Sequence, residues 1–106
     1  MDIAIHAQGF EVGTQARAYV EYRMFSAVGR LGRKCVRLRV RLAAADAHEG
    51  IRYRCAVALD LMPAARVRAR ATADRLYAAI DQSAQRLSQG VERRIQSGHP
   101  RRGRKR

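Results

Sequence analysis

The sequence predicts an α+β domain, a two-layer β-α-β-β-β-α sandwich in which a four-stranded sheet carries both helices on one face. Three observations predict it. Two stretches, residues 14–31 and the residues after Asp74, space their apolar side chains three and four apart. The stretches between them alternate apolar and charged residues with a period of two. The 106 residues are 47% hydrophobic, enough for one modest core and no second domain. Two amphipathic helices cover only one side of a sheet of this size, so the other side meets solvent or a partner.

Each element follows from its own pattern. Residues 2–6 alternate apolar and polar and read as a short strand. The first helix carries Ala16, Val20, Met24, Ala27, Val28 and Leu31 on its apolar stripe, with Gly13-Thr14 as its N-cap and Gly32 as its stop. Val36, Leu38, Val40 and Leu42 then alternate with Arg37, Arg39 and Arg41, a half-buried strand. Ala43–Gly50 reads as a loop. Ile51, Tyr53, Cys55, Val57, Leu59 and Leu61 form the apolar side of the next strand, whose other side carries Arg52, Arg54 and Asp60. Pro63-Ala64 makes a tight connection into a third alternation, Ala65, Val67, Ala69 and Ala71 against Arg66, Arg68 and Arg70. In the last helix Leu76, Tyr77, Ile80, Ala84, Leu87 and Val91 form one stripe, and Arg75, Gln82, Arg86, Gln89 and Arg93 the opposite one. Gly90 within it costs about 1 kcal/mol against Ala. The folded domain is expected over 1–96, with 97–106 a disordered basic tail.

Lys+Arg is 22 against 9 Asp+Glu, a formal net charge of +13. With this hydrophobic content the chain is no disordered polycation. No apolar run is long enough for a membrane span, and the first residues lack the basic and apolar regions of a secretory signal. The expectation is a soluble cytoplasmic domain whose default partner is nucleic acid. All the basic residues are Arg except Lys34 and Lys105. A GC-rich genome explains Arg in place of Lys but not the excess of positive charge, and Arg suits forked phosphate contacts.

The clearest functional signal is the arginine face. Arg37, Arg39, Arg41, Arg52, Arg54, Arg66, Arg68 and Arg70 all point away from the expected core. Like charges opposite one another on paired strands destabilise a sheet unless an anion neutralises them. The functional reading is a phosphate-binding surface with salt-dependent affinity and little base readout; the alternative is a solvated face. Tyr53 falls on the core side, so no aromatic stacking platform is expected there.

At the last helix the residues become familiar. Asp74-Arg75-Leu76-Tyr77-Ala78-Ala79-Ile80-Asp81, preceded by Val67-x-Ala69-x-Ala71, resembles the ribosome hibernation-promoting factor family, which includes the ribosome-associated inhibitor A type and the sigma-factor modulation proteins. Ile3-x-Ile5, Gly9-Phe10-Glu11-Val12 and Arg17-Ala18-Tyr19-Val20-Glu21 are similar to its first strand and helix, so the likeness covers residues 1–96. The resemblance implies the same β-α-β-β-β-α fold. It implies a translation inhibitor of a family associated with the stress response, bound to the small ribosomal subunit and its rRNA. Such a factor occludes the mRNA/tRNA channel through basic contacts, with no chemistry. By position, Arg23 of the first helix and Arg86, Arg93 and Arg94 of the last match the family's basic sites, and with Arg30 they make up the expected helix-face RNA contacts. The chain resembles the short form, without a dimerisation domain, and is expected to be a monomer when free. It departs from the family at Gly13, where a capping Thr is common and Thr14 takes its place. Arg75 replaces an acidic residue of the first turn, worth about 0.5 kcal/mol against the helix dipole. Arg66, Arg68 and Arg70 replace smaller or neutral residues.

Other chemistry has little support. Strand parity puts Cys35 on the arginine side and Cys55 in the core, so no disulfide is expected. His6, His48 and His99 are scattered and no Cys-x-x-Cys occurs, so no metal and no cofactor is expected. Asp60, Asp74 and Asp81 are dispersed, Asp74 reading as a helix start, and no Gly-rich phosphate loop follows a strand, so the chain is not expected to be an enzyme or to take a small-molecule substrate. Tyr77 reads as core and Tyr22 as a candidate base-stacking residue. Arg101, Arg102, Arg104, Lys105 and Arg106 make the tail either an RNA-tracking arm or a solubilising terminus. Two alternatives to ribosome binding stay open. One is a general RNA- or DNA-binding module using the arginine face. The other is an interaction protein docking an acidic protein or an anionic membrane, although the apolar stripes are committed to the core and leave no insertion face.

Overall fold

A computed structural model describes residues 2–62 and 65–98. The elements are β1 (Asp2–Gln8), α1 (Thr14–Val28), a 3-10 segment (Gly29–Lys34), β2 (Cys35–Ala47), β3 (Gly50–Leu61), β4 (Ala65–Ala73) and α2 (Leu76–Gly98). The sheet order is β1-β2-β3-β4. The crossover through α1 lays β1 parallel to β2, and the short connections make β2–β3 and β3–β4 antiparallel. The connection at Pro63-Ala64 and the tail from His99 onward lie outside the described residues.

Both helices pack on one face of the sheet. Val20, Met24 and Val28 of α1 and Ile80, Ala84, Leu87 and Val91 of α2 close over Leu38, Val40, Leu42, Cys55, Val57 and Leu59, in a single apolar cluster. Among the described residues Ser83 is the one buried polar side chain of this core, and its hydroxyl donates to the Ile80 carbonyl oxygen at 3.0 Å. The helices are also tied to each other. Asp81 of α2 accepts a 2.5 Å hydrogen bond from the Tyr19 hydroxyl and lies 3.0 Å from Arg23 Nε, while Arg30 pairs with Glu92. The bond to Asp81, with burial, raises the Tyr19 pKa and keeps its hydroxyl a donor.

Several sequence expectations change. Ala43–Gly50 is not a loop: β2 and β3 continue through Asp46↔Ile51 and Ala47↔Gly50, leaving His48 and Glu49 as the turn. Small Ala side chains give no alternation to read, and pairing with β3 supplies what propensity does not. β1 runs on to Gln8 for the same reason, pairing as Gln8↔Ala43. The α-helix ends at Val28, and the chain tightens to 3-10 before Gly32, at φ +56°, turns it into β2. Thr14 does not cap α1; Gly13 occupies the N-cap with no side-chain bond. Asp74 precedes α2 without starting it, because Arg75 supplies the carbonyl that accepts the Ala79 N–H at 3.1 Å.

Cys35 is buried, not on the arginine side. The register steps from Cys35↔Leu61 to Arg37↔Asp60, so two residues of β2 advance against one of β3. Val36 is the extra residue of this bulge and is exposed, which turns Cys35 inward. Both cysteines are free. Burial raises the Cys35 thiol and pushes Cys55 up to about 11, so both stay protonated and unreactive near neutral pH. Tyr77 is 43% exposed and stacks against Tyr19 with ring centroids 4.8 Å apart, at the rim of the core instead of within it.

Gly90 marks the close approach of α2 to β4: a Cβ there would lie 2.8 Å from Val67 Cγ1. Valine in a strand has little rotamer freedom, so it yields poorly. Gly90→Ala therefore gains about 1 kcal/mol of helix propensity and loses more to overpacking, typically about 1–3 kcal/mol. We expect a net loss, read as a lower Tm; a raised Tm would show that Val67 moves aside freely.

Candidate nucleic-acid interface

The outer face of the sheet is an ordered grid. Reading from β1 to β4, the first row is Asp2, Arg37, Asp60, Arg66, and the second is Ala4, Arg39, Ala58, Arg68. The third is His6, Arg41, Ala56, Arg70, and the fourth is Gln8, Ala43, Arg54, Thr72; Ala45 and Arg52 follow. All eight sheet arginines predicted as RNA contacts stand on this face, exposed except for the half-buried Arg39.

The register corrects one expectation. No arginine stands directly across from another on a neighbouring strand; each faces Ala, Asp, His or Thr. Directly paired positions never set arginine against arginine, and like charges meet only along a strand or on the diagonal, which lessens the repulsion the sheet must tolerate without a bound anion. What remains is a positive surface whose arginines are largely free to engage one.

Asp60 is the exception. It accepts from Arg66 Nε at 2.6 Å and lies 3.4 Å from Arg39 Nη2. The hydrogen bond from Arg66 holds its carboxyl below the ordinary value of 3.8, and the charges of Arg66, Arg39 and Arg37 act in the same direction against the opposing effect of burial. A depressed folded pKa means that the contribution is present above 3.8 and is lost as pH falls through the lower folded value. Asp60→Asn should thus lower the Tm near neutral pH, with the gap to wild type closing in acid. A gap that stays constant in acid would show that the ion pairs do not contribute. Arg39 is less well served: its Nε is covered from solvent with no hydrogen-bond partner.

The helix-borne candidates are placed differently. Arg23 and Arg30 are engaged with Asp81 and Glu92. Arg86 donates to the Arg70 carbonyl oxygen at 2.6 Å and so covers part of the outer edge of β4. Arg93 and Arg94 are exposed on α2. Tyr22, at 65% exposure, and Phe25 lie on the α1 surface, away from the arginine grid. The tail residues Arg101, Arg102, Arg104, Lys105 and Arg106 lie outside the described residues.

Two features escaped the sequence reading. Ala56 and Ala58 lie between arginine rows on the outer face, and Gln8, Arg52, Arg54 and Thr72 line a shallow hollow with Gly9 and Ala43–Ala45. Alanine at alternate positions of β3 was the available signal, but its meaning depends on the register. Among the described residues no group of three or more His, Cys, Asp or Glu side chains is placed to hold a metal ion, and no helix is long and apolar enough to cross a membrane.

Residues 3–97 match the model of the family described as Sigma 54 modulation protein / S30EA ribosomal protein. Among solved structures, a ribosomal subunit interface protein from Coxiella burnetii superposes with a TM-score of 0.75 at 15% identity, over 91% of this chain and 99% of that one, which shows a shared fold. The N-terminal domain of Protein Y from Thermus thermophilus superposes with a TM-score of 0.67 at 26% identity, over 88% of this chain and 98% of that one. No curated protein matches the chain. The match over nearly the whole chain, the element order and the fold agree, and the chain belongs to the Sigma 54 modulation protein / S30EA ribosomal protein family.

Proposed function

We propose that the chain is a ribosome-binding translation inhibitor, a hibernation factor that occupies the mRNA/tRNA channel of the small subunit and holds it through basic contacts to rRNA. The observation that carries this reading is the family match over residues 3–97, supported by likeness to a protein whose name places it at the ribosomal subunit interface. Inhibition would be steric and reversible, in the cytoplasm and with no bond made or broken. The arginine grid supplies the affinity by releasing counterions from RNA phosphates, so binding weakens steeply with salt. The partner is the ribosome, with no cofactor, membrane or small-molecule substrate, and the free protein is a monomer.

Co-sedimentation with small subunits at two salt concentrations, with excess unrelated RNA as competitor, tests this. Saturable retention that survives the competitor supports it; retention stripped by the competitor supports a general RNA- or DNA-binding module instead. That second reading draws on one observation: the grid carries no Phe, Tyr or Trp on which bases could stack, and its imidazole and amide, His6 and Gln8, stand only on the β1 edge.

A further inference from the structure

The outer face has relief as well as charge. β3 separates β2 from β4, so the two outer traces run about 9.5 Å apart. Between them, on the outer side, the β3 positions are Ala58 and Ala56. Arg39 and Arg68 flank the first, and Arg41 and Arg70 the second. The result is a trough floored by methyl groups and walled by guanidinium groups. Along each wall successive arginines are two residues apart, about 7 Å, close to the separation of phosphates in an extended nucleotide strand.

The two ends of the trough differ. At one end the row Asp2, Arg37, Asp60, Arg66 alternates in sign, with Asp60 held between Arg66 and Arg39. That carboxylate repels a phosphate and closes the path. At the other end the floor opens into the hollow beside Arg54, Arg52, Gln8 and Thr72, where cationic and polar donors continue. Arg39 keeps only a 3.4 Å contact to Asp60, and the exposed Arg41, Arg68 and Arg70 stand across from alanine or histidine, so all four wall residues have donors to offer an anion.

We infer that this trough is a track for one extended phosphodiester strand. The strand lies along β3, its phosphates seated over Ala58 and Ala56 between the two arginine walls and continuing over Arg54 and Arg52, its bases turned outward and unread. The inference rests on the reading of the sheet face as an RNA-contacting surface and adds the form of RNA it takes: unpaired and extended. A duplex backbone winds away from a straight trough after one or two phosphates, whereas a single strand follows it and receives forked donors from both sides. No Phe, Tyr or Trp stands in the grid, and His6 lies on its β1 edge outside the trough, so the track holds backbone without base preference.

The test fills the floor and leaves every charge in place. Ala56→Leu with Ala58→Leu (A56L/A58L) adds bulk at outward strand positions; A56S/A58S, which keeps the trough open, is the control. Circular dichroism and thermal melting establish that each variant is folded. Fluorescence anisotropy then measures binding of the full chain to a labelled single-stranded RNA of about 12 nucleotides, within the site sizes of strand-tracking grooves, and to the same sequence as a duplex. The track predicts that A56L/A58L loses single-strand affinity by about tenfold or more as seated phosphates lose their paired donors, with duplex affinity little changed and A56S/A58S like wild type. Unchanged single-strand affinity in A56L/A58L overturns the track in favour of diffuse charge, and an equal loss for duplex overturns its selectivity. Retention of wild type on small subunits is measured in parallel. If wild type is retained and A56L/A58L binds single strands normally, the track fails and the ribosome reading stands. If wild type is not retained and A56L/A58L has lost single-strand binding, the reverse holds.

Discussion

Reversing charge at Arg39, Arg54 and Arg68 together (R39E/R54E/R68E) is expected to abolish RNA binding while leaving the fold intact. All three side chains stand on the solvent face of the sheet, outside the apolar cluster. On a single strand every arginine that stops neutralising a phosphate takes about 0.7 from the slope of log affinity against log salt, so removing three flattens it by roughly two. The new carboxylates also repel the phosphates that the arginines held. The comparison is R86E/R93E on α2. If the helices dock instead, that pair abolishes binding and the sheet triple does not. The two faces differ in how their arginines are engaged: Arg23, Arg30 and Arg86 hold partners on the helix side, Arg39 and Arg66 share Asp60 on the sheet side, and Arg54, Arg68 and Arg93 stand exposed. Gel shift or anisotropy at several salt concentrations reads both variants. If neither variant binds less tightly, neither face is the interface.

The largest stability effect is expected at Gly9. It follows β1 at φ +89°, where a side chain is strained, and a Cβ there would lie 2.3 Å from the Ala44 carbonyl oxygen. That oxygen belongs to β2, held by Ala44↔Tyr53 on one side and, one residue away, by Gln8↔Ala43 on the other. Neither strand gives way without breaking sheet pairing. Gly9→Ala should therefore cost on the order of 3 kcal/mol or more, from backbone strain and steric overlap together. For a small domain that is a large share of a total stability of about 5–15 kcal/mol. Gly29→Ala is the control: its φ is −57° and nothing lies within 4 Å of the added Cβ, so it should be neutral or stabilising. Urea denaturation compares the two, and equal midpoints would show that the turn at Gly9 opens at little cost. Because Gly9 also lines the hollow beside Arg54, a destabilised turn should weaken RNA binding there too.

Periodicity alone determined much of this protein. The strides of α1 and α2 named their buried faces, with Val20, Met24, Ile80, Leu87 and Val91 all in the core. The alternation of Arg with Leu, Val and Ala placed eight arginines on one side of the sheet, because a strand turns successive side chains to opposite faces whatever it pairs with. Net charge pointed to an anionic partner, and the motif around Tyr77–Asp81 to the family.

Partnership across the chain was decided only in the tertiary structure. Register lies in no single strand, so the methyl floor at Ala56 and Ala58 and the separation of arginine from arginine emerged only once β2, β3 and β4 were side by side. The bulge at Val36 broke the parity that had put Cys35 on the wrong face, since one inserted residue reverses every side chain before it. Asp81 was legible as part of a motif, but its role in tying α2 to Tyr19 and Arg23 spans more than half the chain. Side-chain direction is a local property that strand and helix geometry impose; which charges face one another, and what lies between them, is set by pairing between distant segments.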